Sequence, residues 1–197
     1  GLLIKRGRLC AVLGAMDGRL LARITEPLNA DLTVEAFRQK LGRIFREIME
    51  RARRPVFAVS VAVIGPVDCE KGVMLRPTDF YQETADFHLR SFLSTMTDLP
   101  IFITHDSSAA AMAEYLYGTG GERDTFLSLL LEQGISGGLC LDGRICTGLL
   151  GQNGEIGHTS IRFDGERCKC GNHGCLELYA GMPAMRRSAE AFRPFQP

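Results

Sequence analysis

Short apolar runs separated by turn residues open the chain. Residues 2–4, 9–13 and 19–25 are mainly apolar, and Asp17-Gly18 lies between the second and third runs. An Asp-Gly pair between two such runs favours a β-hairpin, because both residues tolerate positive φ. We therefore predict that the chain begins as an antiparallel meander of three strands.

A helical pattern follows the meander. Between residues 33 and 53, apolar side chains recur at spacings of three and four, which is typical of an amphipathic helix. They are Val34, Phe37, Leu41, Ile44, Phe45 and Ile48. Thr33 is predicted to cap this helix and Pro55 to end it. Residues 56–64 are rich in β-branched side chains, which is typical of a strand that helices bury on both faces.

Strands and helices continue to alternate along the chain, which predicts an α/β fold. The pattern indicates a hairpin arm at 72–75, helices at 87–95 and 106–117, and strands at 101–104, 126–131, 139–141 and 144–146. A glycine-rich turn at 133–138 is predicted between two of the strands. The backbone amides of such a turn can bind phosphate, but glycine-rich hairpins without a ligand are at least as common. Glycines at 118, 120 and 121 suggest a division into an N-terminal lobe, 1–118, and the start of a second lobe, 119–197.

The charge balance argues against direct DNA binding by these residues. Lysine and arginine together number 23, as do aspartate and glutamate, so the formal net charge is zero. A chain with no positive field is poorly suited to neutralise DNA phosphates. The sequence shows neither a leader pattern nor an apolar run of membrane-spanning length, so we expect a cytoplasmic protein with no membrane partner. The first residue is not methionine and a strand is predicted almost at once, so we expect a segment of a longer protein.

One stretch, residues 154–180, concentrates metal-binding side chains. His158, Cys168, Cys170 and Cys175 supply one imidazole and three thiols, the number and type of ligands in a closed tetrahedral zinc site. The intervening glycines allow tight turns between the ligands. We predict a structural zinc ion here.

The alternative is that these cysteines are buried or reactive thiols, or that they form disulfides. Cys168 and Cys170 are too close in sequence for an easy bridge. The remaining cysteines lie among apolar residues and are expected to serve packing. They are Cys10, Cys69, Cys140 and Cys146.

The motif GEIGH, followed by CKCGNHGCLE, resembles the signature of the ROK family. This family contains sugar kinases and sugar-responsive transcriptional repressors with an actin-like ATPase (ribonuclease H-like) fold of two lobes. The resemblance implies the same four zinc ligands and places Glu155, His158 and Glu177 around the hydroxyls of a sugar. From the residues alone, Glu155 could equally be a solvated loop carboxylate, and Glu177 a residue that favours the first turn of a helix.

The resemblance also assigns roles in the first lobe. The loop that starts at Gly65 would approach the sugar, with Ile64 and Thr78 standing where the family has Pro and Asn. Asp106 matches the general base of the kinases, which removes the proton from the attacking sugar hydroxyl. His105 replaces the preceding Asn, which looks more like the repressors. Without the resemblance, Asp106 could simply be a helix N-cap.

Both phosphate loops of the kinases are altered in this chain. The Asp that helps to position Mg²⁺ is replaced by Leu3, and Leu offers no oxygen ligand. Two flexible glycines are replaced by Lys5 and Arg6, which we expect to be solvated at the tip of a hairpin. In the second loop, Glu132 would repel phosphates. Binding of ATP and Mg²⁺ is therefore not expected.

We interpret the chain as the sugar-sensing part of a ROK-type regulator, most like the N-acetylglucosamine repressor group in CGNHGCLE. The effector would be a sugar or sugar phosphate bound between the lobes, beside a structural zinc ion. DNA would be contacted only through a winged helix-turn-helix preceding Gly1. The second lobe would be completed after Pro197. A homo-oligomer such as a dimer is expected. Two alternatives remain, a ROK sugar kinase that tolerates degenerate loops and a zinc-stapled binding module without a sugar.

Overall fold

The computed structural model describes residues 1–29, 31–75, 82–148 and 153–192. Within these ranges, no helix is long and apolar enough to cross a membrane. The chain folds as two compact units. The first is built mainly from Gly1–Ala109, and the second contains Ala110–Cys146 and the described residues from Asn153 onward.

Within the described residues, eight strands and two complete α-helices lie in the first unit. They are β1 (Leu2–Lys5), β2 (Arg8–Gly14), β3 (Leu20–Pro27), α1 (Val34–Glu50), β4 (Val59–Val63), β5 (Val67–Asp68), β6 (Val73–Met74), β7 (Phe87–His88), α2 (Leu89–Ser94) and β8 (Ile101–His105). Five strands form the central sheet in the order β3-β2-β1-β4-β8. The predicted meander is confirmed, since β1, β2 and β3 pair antiparallel, whereas β4 and β8 continue the sheet in parallel.

Helix α1 forms where the periodicity places it. The hydroxyl of Thr33 accepts a hydrogen bond from the backbone N–H of Ala36, as predicted for an N-cap. Phe37, Leu41 and Ile44 are completely buried in the core of the unit. Full burial of a large apolar side chain contributes about 1.5–3 kcal/mol, so this face of the helix is a main source of stability.

Strand β4 is shorter than predicted and is not buried on both faces. Val59, Val61 and Val63 are buried, but Ser60 is exposed. Ser60 pairs with Phe102 of β8, whose exposed fraction is 63%. The expectation of burial on both faces was therefore wrong, because β-branched side chains favour a strand without specifying what covers it.

The hairpin arm belongs to a small sheet with the order β5-β6-β7. The helix predicted from residue 87 begins at Leu89, because Phe87 and His88 pair with β6 before it.

The second unit carries a three-stranded antiparallel sheet and short helices. Its elements are the greater part of α3 (Asp106–Tyr117), β9 (Phe126–Leu131), β10 (Ile135–Leu141), β11 (Arg144–Ile145), α4 (Leu176–Ala180) and α5 (Met182–Phe192). Strand β10 lies between β11 and β9.

The predicted glycine-rich turn is only partly a turn, because Ile135–Gly138 pair with β9 as part of β10. Their glycines permit close packing instead. The N–H of Gly137 donates to the carbonyl of Gly154 at 2.7 Å, and a Cβ on Gly137 would clash with Ile156. These contacts explain the glycine at 137 without a phosphate ligand.

All seven cysteines are free. Cys10 and Cys140 are buried and Cys69 and Cys146 are half-buried, in agreement with a packing role. Burial raises the pKa of the Cys69 thiol.

Candidate functional site

Three parallel strands of the first unit end at one edge of its sheet. The register aligns Ile4 of β1 with Val63 of β4, and Val63 with His105 of β8. The residues that follow these positions are therefore brought to the same edge, which is where ligands bind in open α/β sheets. Lys5 and Asp106 occupy this edge, and Gly65, with φ of 81°, directs the chain away from β4.

Asp106 is the first residue of α3, and Lys5 is the last residue of β1. The Nζ of Lys5 lies 3.1 Å from the Oδ2 of Asp106, and the two side chains are 8% and 3% exposed. The prediction that Lys5 is solvated at a hairpin tip was wrong. Lys5 still belongs to strand β1, and its side chain reaches Asp106. The Oδ1 of Asp106 accepts no hydrogen bond from the described part of the chain, so an N-cap role has no support in the geometry.

His105 is buried next to this pair. Its Nδ1 lies 2.8 Å from the hydroxyl of Ser107 and accepts the Ser107 backbone N–H at 3.3 Å. The same nitrogen lies 3.2 Å from the Oδ1 of Asp106. Its sequence neighbour Ser107 thus holds the ring beside the aspartate.

In the second unit, the four predicted metal ligands converge. The Nδ1 of His158 and the sulfurs of Cys168, Cys170 and Cys175 all lie within 4.8 Å of one another. Two sulfurs bound to a tetrahedral zinc ion at about 2.3 Å would be about 3.8 Å apart, and a sulfur and a nitrogen about 3.6 Å. The distance is 3.7 Å from Cys170 Sγ to Cys175 Sγ and 3.6 Å from Cys168 Sγ to His158 Nδ1. The donor set fits zinc in type, and these two distances fit the spacing of a tetrahedral site.

Tight turns in the loop bring these ligands together. The carbonyl of Cys168 accepts the N–H of Gly171 at 3.0 Å, and Gly171 adopts a φ of 97°. Gly174 has a φ of 62°, and its missing side chain leaves room for the carbonyl of Arg162. An L-residue at either position would be strained, so these glycines support the loop as expected.

The thiols differ in acidity. Burial, followed by hydrogen bonds with the Cys168 and Cys170 thiols, raises the pKa of Cys175 to about 12. For Cys170, burial acts to raise the pKa, but the hydrogen bonds from the Asn172 backbone and the neighbouring thiols outweigh it and lower the pKa. A divalent cation would therefore displace a proton from Cys175 on binding.

Two carboxylates adjoin the cysteine cluster within this unit. The Oε2 of Glu155 lies 3.6 Å from the Nε2 of His158, opposite the ring nitrogen that faces the cysteines. A carboxylate that accepts a hydrogen bond from this nitrogen orients a metal-binding histidine, but 3.6 Å is longer than a hydrogen bond. Glu177, in the first turn of α4, accepts the backbone N–H of Ile135 at 3.2 Å through its Oε2.

The main residue that sequence reasoning missed is Lys5. The sequence did offer a signal for it. Asp106, the residue after β8, was already a candidate site residue, and Lys5 ends a strand that runs parallel to β8. Thr78 lies outside the described residues.

The sequence pattern of the ROK family matches residues 6–194. The chain belongs to the ROK family. It is 29% identical over 190 residues to the DNA-binding transcriptional repressor Mlc of Escherichia coli K12, covering 95% of this chain and 46% of that protein. The chain thus spans about half the length of this ROK relative.

Two solved ROK structures share the fold. One is a ROK family transcriptional regulator described as a homologue of the E. coli MLC protein, with a TM-score of 0.81, 28% identity and coverage of 100% of this chain and 50% of that one. The other is a ROK glucokinase from Streptomyces griseus in complex with glucose and AMPPNP, with a TM-score of 0.85, 25% identity and coverage of 98% and 61%. The chain therefore has the α/β, actin-like fold of this family, and its relatives include both regulators and kinases.

Proposed function

We propose that the chain is the sugar-binding part of a ROK-type transcriptional regulator and does not phosphorylate sugars. The observation that carries this proposal is the buried Lys5–Asp106 ion pair. By resemblance to the ROK kinases, position 5 would be a flexible glycine of the phosphate loop and Asp106 would be the general base. Here a lysine replaces the glycine, and its ammonium group is directed at the aspartate.

The other phosphate-loop positions support the same conclusion. Leu3 lies in β1 where the resemblance places a carboxylate for Mg²⁺, and an aliphatic side chain cannot bind that ion. Glu132 stands at the second loop. Because phosphoryl transfer depends on positioning and on neutralising phosphate charge, the loss of both loops should abolish it.

The retained polar groups suit a sugar. Asp106 belongs to the first unit, and Glu155, His158 and Glu177 belong to the second. Carboxylates accept hydrogen bonds from the hydroxyls of a polyol, and we propose that these four side chains contact a sugar or sugar phosphate. We further propose that His158, Cys168, Cys170 and Cys175 hold one structural zinc ion that orders the loop carrying Glu155.

The proposed link to DNA rests on the regulators among the relatives, such as Mlc. With 23 basic and 23 acidic side chains, this chain has no net charge to attract DNA. We propose that another part of the full-length protein binds DNA. We further propose that the full-length protein is a regulator of the N-acetylglucosamine repressor type and acts as a homo-oligomer.

A sugar kinase is the second candidate. The TM-score of 0.85 to a glucokinase and the position of Asp106 at a helix start favour it. To distinguish the two, the full-length protein is incubated with Mg²⁺-ATP and glucose or N-acetylmannosamine, and sugar phosphate is measured by ³¹P NMR. If the protein is a regulator, the wild type should form no more sugar phosphate than Asp106→Asn does. Turnover that disappears in Asp106→Asn would establish the kinase instead.

A further inference from the structure

Lys5 and Asp106 form an ion pair that is almost completely removed from solvent. Their side chains are 8% and 3% exposed, and 3.1 Å separates Nζ from Oδ2. A buried charge is tolerated only when it is paired, so each side chain holds the other in place. The single positive charge of Lys5 is balanced by the single negative charge of Asp106.

The pair uses only one of the two carboxylate oxygens. Oδ1 is buried and, within the ranges that the structure describes, accepts no hydrogen bond. The nearby Nδ1 of His105 is engaged by both the hydroxyl and the backbone N–H of Ser107. A buried acceptor without a donor is unfavourable, and a hydroxyl group of a ligand would satisfy it.

We propose that Lys5 is a positioning residue that holds Asp106 as an acceptor for one free hydroxyl of the sugar, and that it thereby determines specificity. This inference rests on the proposed function. A phosphate ester at the same hydroxyl would place two negative charges beside the carboxylate, while the ammonium of Lys5 is already paired. The site should therefore prefer the free sugar to its phosphate ester.

The test is calorimetry on the full-length protein with glucose, N-acetylmannosamine and their 6-phosphates. Lys5→Gln removes the charge and keeps a hydrogen-bond donor, Lys5→Arg keeps the charge, and Arg8→Gln removes a charge from an exposed neighbouring position. We expect Lys5→Gln to weaken binding of the free sugar by about ten-fold or more. Lys5→Arg should retain most of the affinity, and Arg8→Gln all of it.

The outcomes separate this inference from the proposed function. If the wild-type protein binds a sugar and Lys5→Gln binds it equally well, the role of Lys5 is refuted and the proposed function stands. Tighter binding of the 6-phosphate than of the sugar by the wild type also refutes it. A melting curve shows whether Lys5→Gln folds. If it does not, the inference is tested by the preference of the wild-type protein for the free sugar over its 6-phosphate and by the affinity of Lys5→Arg. A wild-type protein that binds none of the four compounds overturns both proposals.

Discussion

Gly157 packs directly against the backbone carbonyl of Ile135, so closely that a Cβ at position 157 would overlap the carbonyl oxygen. The contact holds the segment that carries Glu155 and His158 against strand β10. Because glycine has no Cβ, this close packing at position 157 is possible, and it positions two of the predicted site residues.

Replacing Gly157 with alanine should test this contact. Because the clash is with backbone and position 157 is buried, we expect Gly157→Ala to lower the free energy of unfolding by about 1–3 kcal/mol. Denaturant unfolding measures the change. Gly14→Ala is the control, since a Cβ there meets nothing closer than the Arg19 carbonyl at 4.0 Å. Equal effects at the two positions would show that the packing against Ile135 is unimportant.

The cysteine cluster should bind one zinc ion per chain and release protons on binding. Cys175, with a pKa of about 12, is protonated at neutral pH until a metal displaces the proton. Metal analysis together with a pH-indicator titration measures both quantities. Cys175→Ser should lose the ion, whereas Cys146→Ser, outside the cluster, should keep it. Zinc-free wild-type protein, or zinc retained by Cys175→Ser, would disprove this assignment.

The Lys5–Asp106 pair should be detectable as an energetic coupling. Removing one partner of a buried ion pair typically costs about 3–5 kcal/mol, because the other charge is left without compensation. We expect Lys5→Met and Asp106→Asn each to destabilise the protein, and the double variant to be more stable than the sum of the two effects predicts. Strictly additive effects in denaturant unfolding would show that the two charges do not interact.

The sequence predicted most of this fold because its local signals were consistent. Thr33 as an N-cap, Asp17-Gly18 as a turn and the spacing of the cysteines each have a local physical cause, and each was found in the structure. Lys5 was misjudged because its partner lies about a hundred residues away and meets it only through the register of β1, β4 and β8. Gly137 was placed in a turn rather than in β10 for a related reason, since a glycine that makes room for Ile156 looks the same in sequence as one in a turn.

Calorimetric titration of the full-length protein with a panel of pentoses, hexoses and N-acetylhexosamines tests the central claim most directly. At least one sugar should bind without ATP, and Glu155→Ala should weaken it by about ten-fold or more, because a charge-assisted hydrogen bond contributes about 1.5–3 kcal/mol. Glu166→Ala, at an exposed position of the same loop, should bind as the wild type does, and zinc content should be unchanged in both. Absence of binding across the panel, or binding indifferent to Glu155, would contradict the assignment of this chain as a sugar sensor.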